Sequence, residues 1–186
     1  MNNILFVSAC VRPQSRTRAL AQTVLDRLQG NITTVDLSTD PVPFLDGEGL
    51  EQRNELLAAG NFDAPMFRHA RAFSQADTIV IAAPYWDLMF PALLKAYLEA
   101  ITVSGLTFRY TDAGYPSSLC KAKRLIYVTT AGGYIGEYDF GYQYVETMAR
   151  GFFGIEDVSC VKAEGLDIVG ADVDAILHEA AAKNIF

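Results

Sequence analysis

Apolar positions along this chain follow two different periods, and the switches between them outline the fold. Asn3–Ser8 (NILFVS), Thr78–Ala82 (TIVIA) and Leu125–Thr130 (LIYVTT) are short, nearly continuous apolar runs. They are too short for helices and match strands buried on both faces. From Thr17 the period lengthens: Leu20, Val24 and Leu28 recur every four residues, with Ala21 and Leu25 beside them and Gly30 as a stop. Asn31–Leu37 (NITTVDL) is β-branched but more polar, the pattern of an edge strand. Further helices are predicted near Glu51–Ala59, over Met66–Gln75, from Pro91 to about Val103, from Gly141 to about Phe153, and over Asp172–Lys183 with Asp172 as cap. A last strand is predicted over Asp157–Ala163, and Leu106–Leu119 reads as a polar, aromatic excursion.

Strands alternating with helices predict a parallel sheet of βαβ units in one domain spanning residues 1–186. The α/β class with five such strands suggests the flavodoxin-like order 2-1-3-4-5, with helices on both faces. Ligands of open α/β sheets bind beyond the strand carboxyl ends where the strand order reverses. Three loops should meet there: Ser8–Thr17, Pro84–Phe90 and Thr129–Tyr138.

Composition narrows the function classes. With 186 residues, 51% of them hydrophobic, the chain can bury a core without disulfide or metal staples. No apolar run reaches the ~20 residues of a membrane span, and the N-terminus lacks the basic region of a secretory signal. The formal net charge of −7 argues against nucleic acid as the main partner. Three scattered cysteines without a CxxC, and two histidines, fit a reduced cytoplasmic chain with no metal site.

The first loop, SACVRPQSRT, enters a helix through Ser15, Arg16 and Thr17. A helix N-terminus presents unpaired N–H groups and a positive dipole end, which suits a phosphate. The guanidiniums of Arg12 and Arg16 would reinforce it, although Ser15 could simply cap the helix. Neither G-x-G-x-x-G nor a Walker glycine–lysine pattern is present, which disfavours dinucleotide-binding and NTPase loops. The second loop, Tyr85-Trp86-Asp87-Leu88 between Pro84 and Pro91, is either aromatic packing or a stiff ligand wall. In the third, Thr130-Ala131-Gly132-Gly133-Tyr134, paired glycines permit close approach to a flat ligand or form a plain turn. Tyr134, Tyr138, Tyr142 and Tyr144 also fit a subunit interface.

A phosphate pocket beside two loops that can embrace a planar ring suits flavin mononucleotide. The chain resembles the FMN-dependent NAD(P)H quinone oxidoreductases and azoreductases in PYWDLMFPALLKAYLEA (84–100), GLTFRYTDAG (105–114), TTAGGY (129–134) and AEG (163–165). The resemblance implies FMN as cofactor, NADH or NADPH as donor, and a quinone or azo compound as acceptor in a ping-pong reaction. It implies that Ser15, Arg16 and Thr17 hold the FMN phosphate, that Ser8 is also cofactor-binding, and that Tyr85, Trp86, Asp87 and Leu88 line one edge of the ring. Thr130, Ala131, Gly132 and Gly133 would contact its other side, and the donor to the reduced flavin would be the Gly132–Gly133 backbone or Tyr134, the candidate catalytic residue. Asp87 stands where azoreductases commonly carry asparagine, and Ala131 where many carry a larger polar residue. A carboxylate cannot donate the amide's hydrogen bonds, and its charge disfavours an anionic reduced flavin. The resemblance also implies a homodimer with the active site at the interface, to which Phe108, Tyr110, Tyr115 and the Tyr138–Tyr144 cluster contribute.

Two other readings remain. Cys10 to Arg16 has the C-x5-R spacing of low-molecular-weight tyrosine phosphatases, where a helix N-terminus activates a thiolate. The late Asp-Pro general-acid segment is absent; the only Asp-Pro is Asp40–Pro41. A flavodoxin-type electron carrier would bind FMN without a substrate pocket, but the 106–119 excursion and the tyrosine-rich loop look like substrate walls.

Overall fold

In the structure, a computed structural model in which residues 2–183 are described, five parallel strands form one sheet. They are β1 (Asn3–Ser8), β2 (Asn31–Asp36), β3 (Thr78–Ala82), β6 (Arg124–Thr130) and β7 (Asp157–Ala163), in the spatial order β2-β1-β3-β6-β7. The remaining strands, β4 (Phe108–Tyr110) and β5 (Pro116–Ser118), pair as a separate antiparallel hairpin inside the 106–119 excursion. That hairpin shifts the numbering; counted among themselves, the main-sheet strands lie in the expected order.

Alternation within each strand divides the core in two. Ile4, Phe6, Val80, Ala82, Ile126, Val128, Val161 and Ala163 face α1 (Arg16–Leu25) and α6 (Val173–Ala182). Leu5, Val7, Ile79, Ile81, Leu125 and Tyr127 face α3 (Arg68–Gln75), α4 (Ala92–Ile101) and α5 (Phe140–Gly151). The edge strand β2 stays largely exposed, which accounts for its polar sequence. Helix α2 (Gly47–Ala58) contributes only half-buried Leu56 and Leu57 to the second layer.

Helix ends depart from the pattern-based bounds for local reasons. Asp46 caps α2 by accepting from the Gly49 N–H at 2.8 Å, so this helix begins a turn before Glu51. Pro91 is the N-cap of α4, with an extended ψ of 146°, and not its first helical residue. After Leu25, Arg27 and Leu28 bond back to Val24 and Leu25 in tighter i→i−3 turns, ending α1 early.

Register fixes the site. Ser8 pairs with Ala82, and Ala82 with Val128, so the carboxyl ends of β1, β3 and β6 lie level. Ladder bonds continue past the strand ends, from Ala9 N to Ala82 O, Ala83 N to Val128 O and Tyr85 N to Thr130 O, at 2.8 to 3.0 Å. The three loops therefore leave the sheet side by side.

Candidate functional site

Beyond those strand ends lies a cleft of about 880 Å³, lined by residues 11–17, 84–86 and 130–132 together with Leu166 and Asp167. Its size falls within the ~300–1,000 Å³ usual for small-molecule and cofactor sites. The sheet brings together Ser15, Arg16, Thr17, Tyr85, Trp86, Thr130, Ala131 and Gly132 of the expected residues.

At one end, Ser15 is the N-cap of α1 and its Oγ accepts from the Arg18 N–H at 3.2 Å. The first N–H groups of the helix have no acceptor within it, and Arg16 and Thr17, which carry them, line the cleft. Thr17 is buried, and its hydroxyl lies 2.7 Å from that of Thr130, bolting the start of α1 to the end of β6. Arg16 reaches across to Asp167, Nη1 to Oδ1 at 2.6 Å, and donates to the Leu166 carbonyl at 3.2 Å. Arg12 lines the cleft and enters no ion pair among the described residues.

The third arginine of this segment serves the scaffold. Arg18 pairs with Asp36 at the end of β2 at 2.8 Å and donates to the Cys10 carbonyl at 2.8 Å. Partial burial pushes the Asp36 carboxyl up, but the Ser38 hydroxyl and N–H together with Arg18 outweigh it and hold it below the usual range. Ser8 is buried at the end of β1, where its Oγ accepts from the Cys10 N–H at 3.4 Å; it shapes the loop from outside the cleft lining. The Cys10 thiol is buried against the Ala82 carbonyl, 3.8 Å away, and also lies outside the lining. Cys10 and Arg16 form no thiolate cradle, so the phosphatase spacing has no counterpart in space.

The second loop folds back sharply. Trp86 and Met89 exchange two backbone hydrogen bonds of 3.0 and 2.8 Å around Asp87 and Leu88, whose φ angles are +50° and +67°. Positive φ at both central residues is the geometry of a type I′ turn, unusual without glycine or asparagine. Tyr85 and Trp86 face the cleft, while Asp87 and Leu88 occupy the exposed tip. The Tyr85 hydroxyl donates to the Tyr138 carbonyl at 3.1 Å, joining the second loop to the third.

Thr130, Ala131 and Gly132 continue the wall, whereas Gly133 and the 78% exposed Tyr134 lie outside the lining. A fourth segment completes the site. The N–H groups of Gly165, Leu166 and Asp167 donate to the carbonyls of Gly133, Ala131 and Gly132, and Glu164 accepts from the Ile135 N–H at 2.9 Å. Leu166 and Asp167 were not among the expected residues. Their signal was positional: they follow β7, the sheet neighbour of β6. Val11, Pro13, Gln14 and Pro84 join the lining as neighbours of expected residues.

Among the described residues no cluster of three or more His, Cys, Asp or Glu side chains could hold a metal, and no helix is long and apolar enough to cross a membrane.

Known proteins resemble this chain over nearly its whole length. Residues 2–184 match the family model described as the flavodoxin-like fold. FMN-dependent NADH:quinone oxidoreductase 2 of Clostridium acetobutylicum is 35% identical, over 98% of this chain and 96% of the relative. The FMN-dependent NADH:quinone oxidoreductase of Clostridium beijerinckii is also 35% identical, with the same shares covered. Among solved structures, an azoreductase from Bacillus anthracis superposes with a TM-score of 0.84 at 24% identity, over 98% of this chain and 96% of that one. An FMN-dependent NADH-azoreductase from Bacillus anthracis in complex with FMN gives 0.81 at 23%, over 98% and 95%. At those identities the structural likeness concerns the fold; the family match spans strands, helices and all four loops of the cleft. This chain belongs to the flavodoxin-like fold family.

Proposed function

We propose that this protein is an FMN-dependent oxidoreductase that passes electrons from NADH or NADPH to a quinone or azo compound. The observation that carries the reading is the cleft itself. It joins a helix start suited to an anion to a slot lined by Tyr85, Trp86, Thr130, Ala131 and Gly132. The 35% identical relative named for the same cofactor and reaction supports it.

The residues fit the group. At the phosphate end, the α1 N–H groups, the Ser15 hydroxyl and the guanidiniums of Arg12 and Arg16 form a donor-rich set suited to a dianion. Thr17 would contribute its backbone N–H, since its hydroxyl is bonded to Thr130. Tyr85 and Trp86, with Asp87 and Leu88 at the tip, would hold one edge of the ring. Thr130, Ala131, Gly132 and Gly133 would hold the other, and Ser8 acts through the shape of its loop. When bound, FMN supplies the two-electron chemistry between a nicotinamide donor and the acceptor. The chain's own work is to place the donor and exclude water, and the stiff turn at 86–89 suits Trp86 to both. Tyr134, exposed and two residues beyond Gly132 of the lining, is the proposed proton or hydrogen-bond donor to the reduced ring.

The same reading covers the surroundings. We infer a single domain that works as a homodimer in a reducing cytoplasm. Three free cysteines support the compartment. The exposed aromatic residues Tyr110, Tyr115, Tyr134, Tyr138 and Phe140 support a second copy closing the cleft. The β4–β5 hairpin packs against Phe152 and Phe153, ahead of the amino end of β7, and lines no part of this cleft; any wall it lends to a substrate pocket would be lent to a second copy.

The test is direct. Purified protein should be yellow, release FMN on denaturation, and lose its flavin absorbance when NADH or NADPH is added without oxygen. A colourless protein that also refuses added FMN overturns the reading. Sedimentation near 20.4 kDa at micromolar concentration removes the homodimer.

A further inference from the structure

The cleft that offers its phosphate end to an anion also contains a carboxylate. We propose that Asp167 is a built-in counter-anion that competes with the ligand for Arg16 and so limits how tightly the cleft holds a phosphate. The proposal rests on the reading that this cleft takes FMN.

Several features fix Asp167 in this position. Its N–H donates to the Gly132 carbonyl at 2.9 Å and the preceding Leu166 N–H to Ala131 at 3.2 Å, which places its backbone against the cleft wall. Its Oδ1 lies 2.6 Å from Arg16 Nη1. Gly132 carries the third feature. Its φ lies outside the left-handed region, so its backbone does not call for glycine, yet a Cβ there would stand 2.2 Å from Asp167 Oδ2 and 2.9 Å from Cγ. The absent side chain at 132 leaves the space that the carboxylate occupies.

The pair is built to be exchanged. Its side chains are 43% and 70% exposed, and exposed ion pairs are weak because water and salt screen them. A phosphate dianion can bond a guanidinium through two oxygens and also accept the helix N–H groups, so it outbids a single carboxylate. Before the ligand arrives, Asp167 holds Arg16 extended across the cleft and neutralises it. Among the charged lining residues, two arginines then face one carboxylate, and Arg12 is the uncompensated cation.

A purely structural tether would look similar in the structure, and Asp167→Asn separates the two. Asparagine keeps the size and one hydrogen bond to Arg16 but removes the charge. FMN is titrated into apo-protein by quenching of flavin fluorescence at several salt concentrations, with inorganic phosphate protection in thermal melts as a second probe. The counter-anion reading expects Asp167→Asn to bind FMN about twofold to fivefold more tightly at low salt, with the gain shrinking as salt rises. Phosphate should then stabilise the variant more than the wild type. Arg16→Gln should bind more weakly and should abolish most of the gain from Asp167→Asn. Unchanged or weaker binding in Asp167→Asn overturns the proposal, as does an equal gain in the Arg16→Gln background. Asp167→Ala serves as a second variant with the same expected sign. If wild type and variants alike refuse FMN, the cofactor reading fails, while the phosphate melts still decide the role of Asp167.

Discussion

Thr17 and Thr130 meet through hydroxyls 2.7 Å apart, with 1% and 8% of each residue exposed. Deleting one hydroxyl leaves the other buried without this partner, a loss of about 1–3 kcal/mol. Thr17→Val should therefore lower the melting temperature by roughly 2–10 °C for a chain of this length. Removing both hydroxyls removes the unmet demand as well. Thr17→Val/Thr130→Val should thus lose distinctly less than the sum of the single variants. Strict additivity in urea melts would mean that the two hydroxyls do not depend on each other. The pair also joins the helix start to the strand end, so Thr17→Val should weaken FMN retention beyond its effect on stability.

The turn from Trp86 to Met89 is the element that departs furthest from local preference. Leu88 holds φ +67°, a left-handed conformation that costs an ordinary side chain roughly 1–2 kcal/mol. Its side chain is half exposed, so little burial offsets that cost. Asparagine tolerates the left-handed region, and Leu88→Asn should raise stability by about 0.5–1 kcal/mol in urea melts. A fall in the urea midpoint would show that the leucine packs more than its exposure suggests. The turn also marks where the sequence stops being readable. Strands β1, β3 and β6 were legible because burial on both faces forces continuous apolar runs, and the helices of the core because one apolar stripe repeats. The β4–β5 hairpin was not, since three-residue strands are too short to establish a period. The start of α2 was hidden by Gly47 and Gly49, weak helix formers that only the Asp46 cap makes tolerable. In the site, the local signals were readable: a hydroxyl and arginines at a helix start, glycines after a strand. The partners of those residues were not. Arg16 meets Asp167 across 151 positions, and Arg18, in the same short segment, turns instead to Asp36.

For the whole molecule, a buried histidine and two half-buried cysteines bound the pH range over which the fold is most stable. His69 on α3 is buried against the Tyr97 ring, 5.5 Å between centroids. Burial and the neighbouring Arg68 hold its pKa below the usual 6.5, with Asp40 opposing in part. A depressed folded pKa means that the unfolded chain binds the extra proton more readily. This contribution is complete above about pH 6.5 and is lost as the pH falls below it. Burial acts in the opposite direction on the thiols, pushing Cys120 and Cys160 up from 9.0 to about 12. Their contribution is complete below about pH 9 and is lost as the pH rises toward 12, because the unfolded thiols ionise first. Urea midpoints plotted against pH should therefore form a plateau between these limits with a falling limb on each side. His69→Gln should reduce the loss just below pH 6.5 and leave the alkaline limb unchanged. Cys120→Ala/Cys160→Ala should reduce the loss that begins near pH 9 and leave the acid limb unchanged, with the later fall from Tyr97 and Tyr127 remaining. An alkaline limb unchanged in the double cysteine variant would place its cause elsewhere, in the buried tyrosines Tyr97 and Tyr127, whose hydroxyls burial also drives upward. The raised pKa values of Cys120 and Cys160 should keep both half-buried thiols slow to react with iodoacetamide at pH 8 until urea opens the fold.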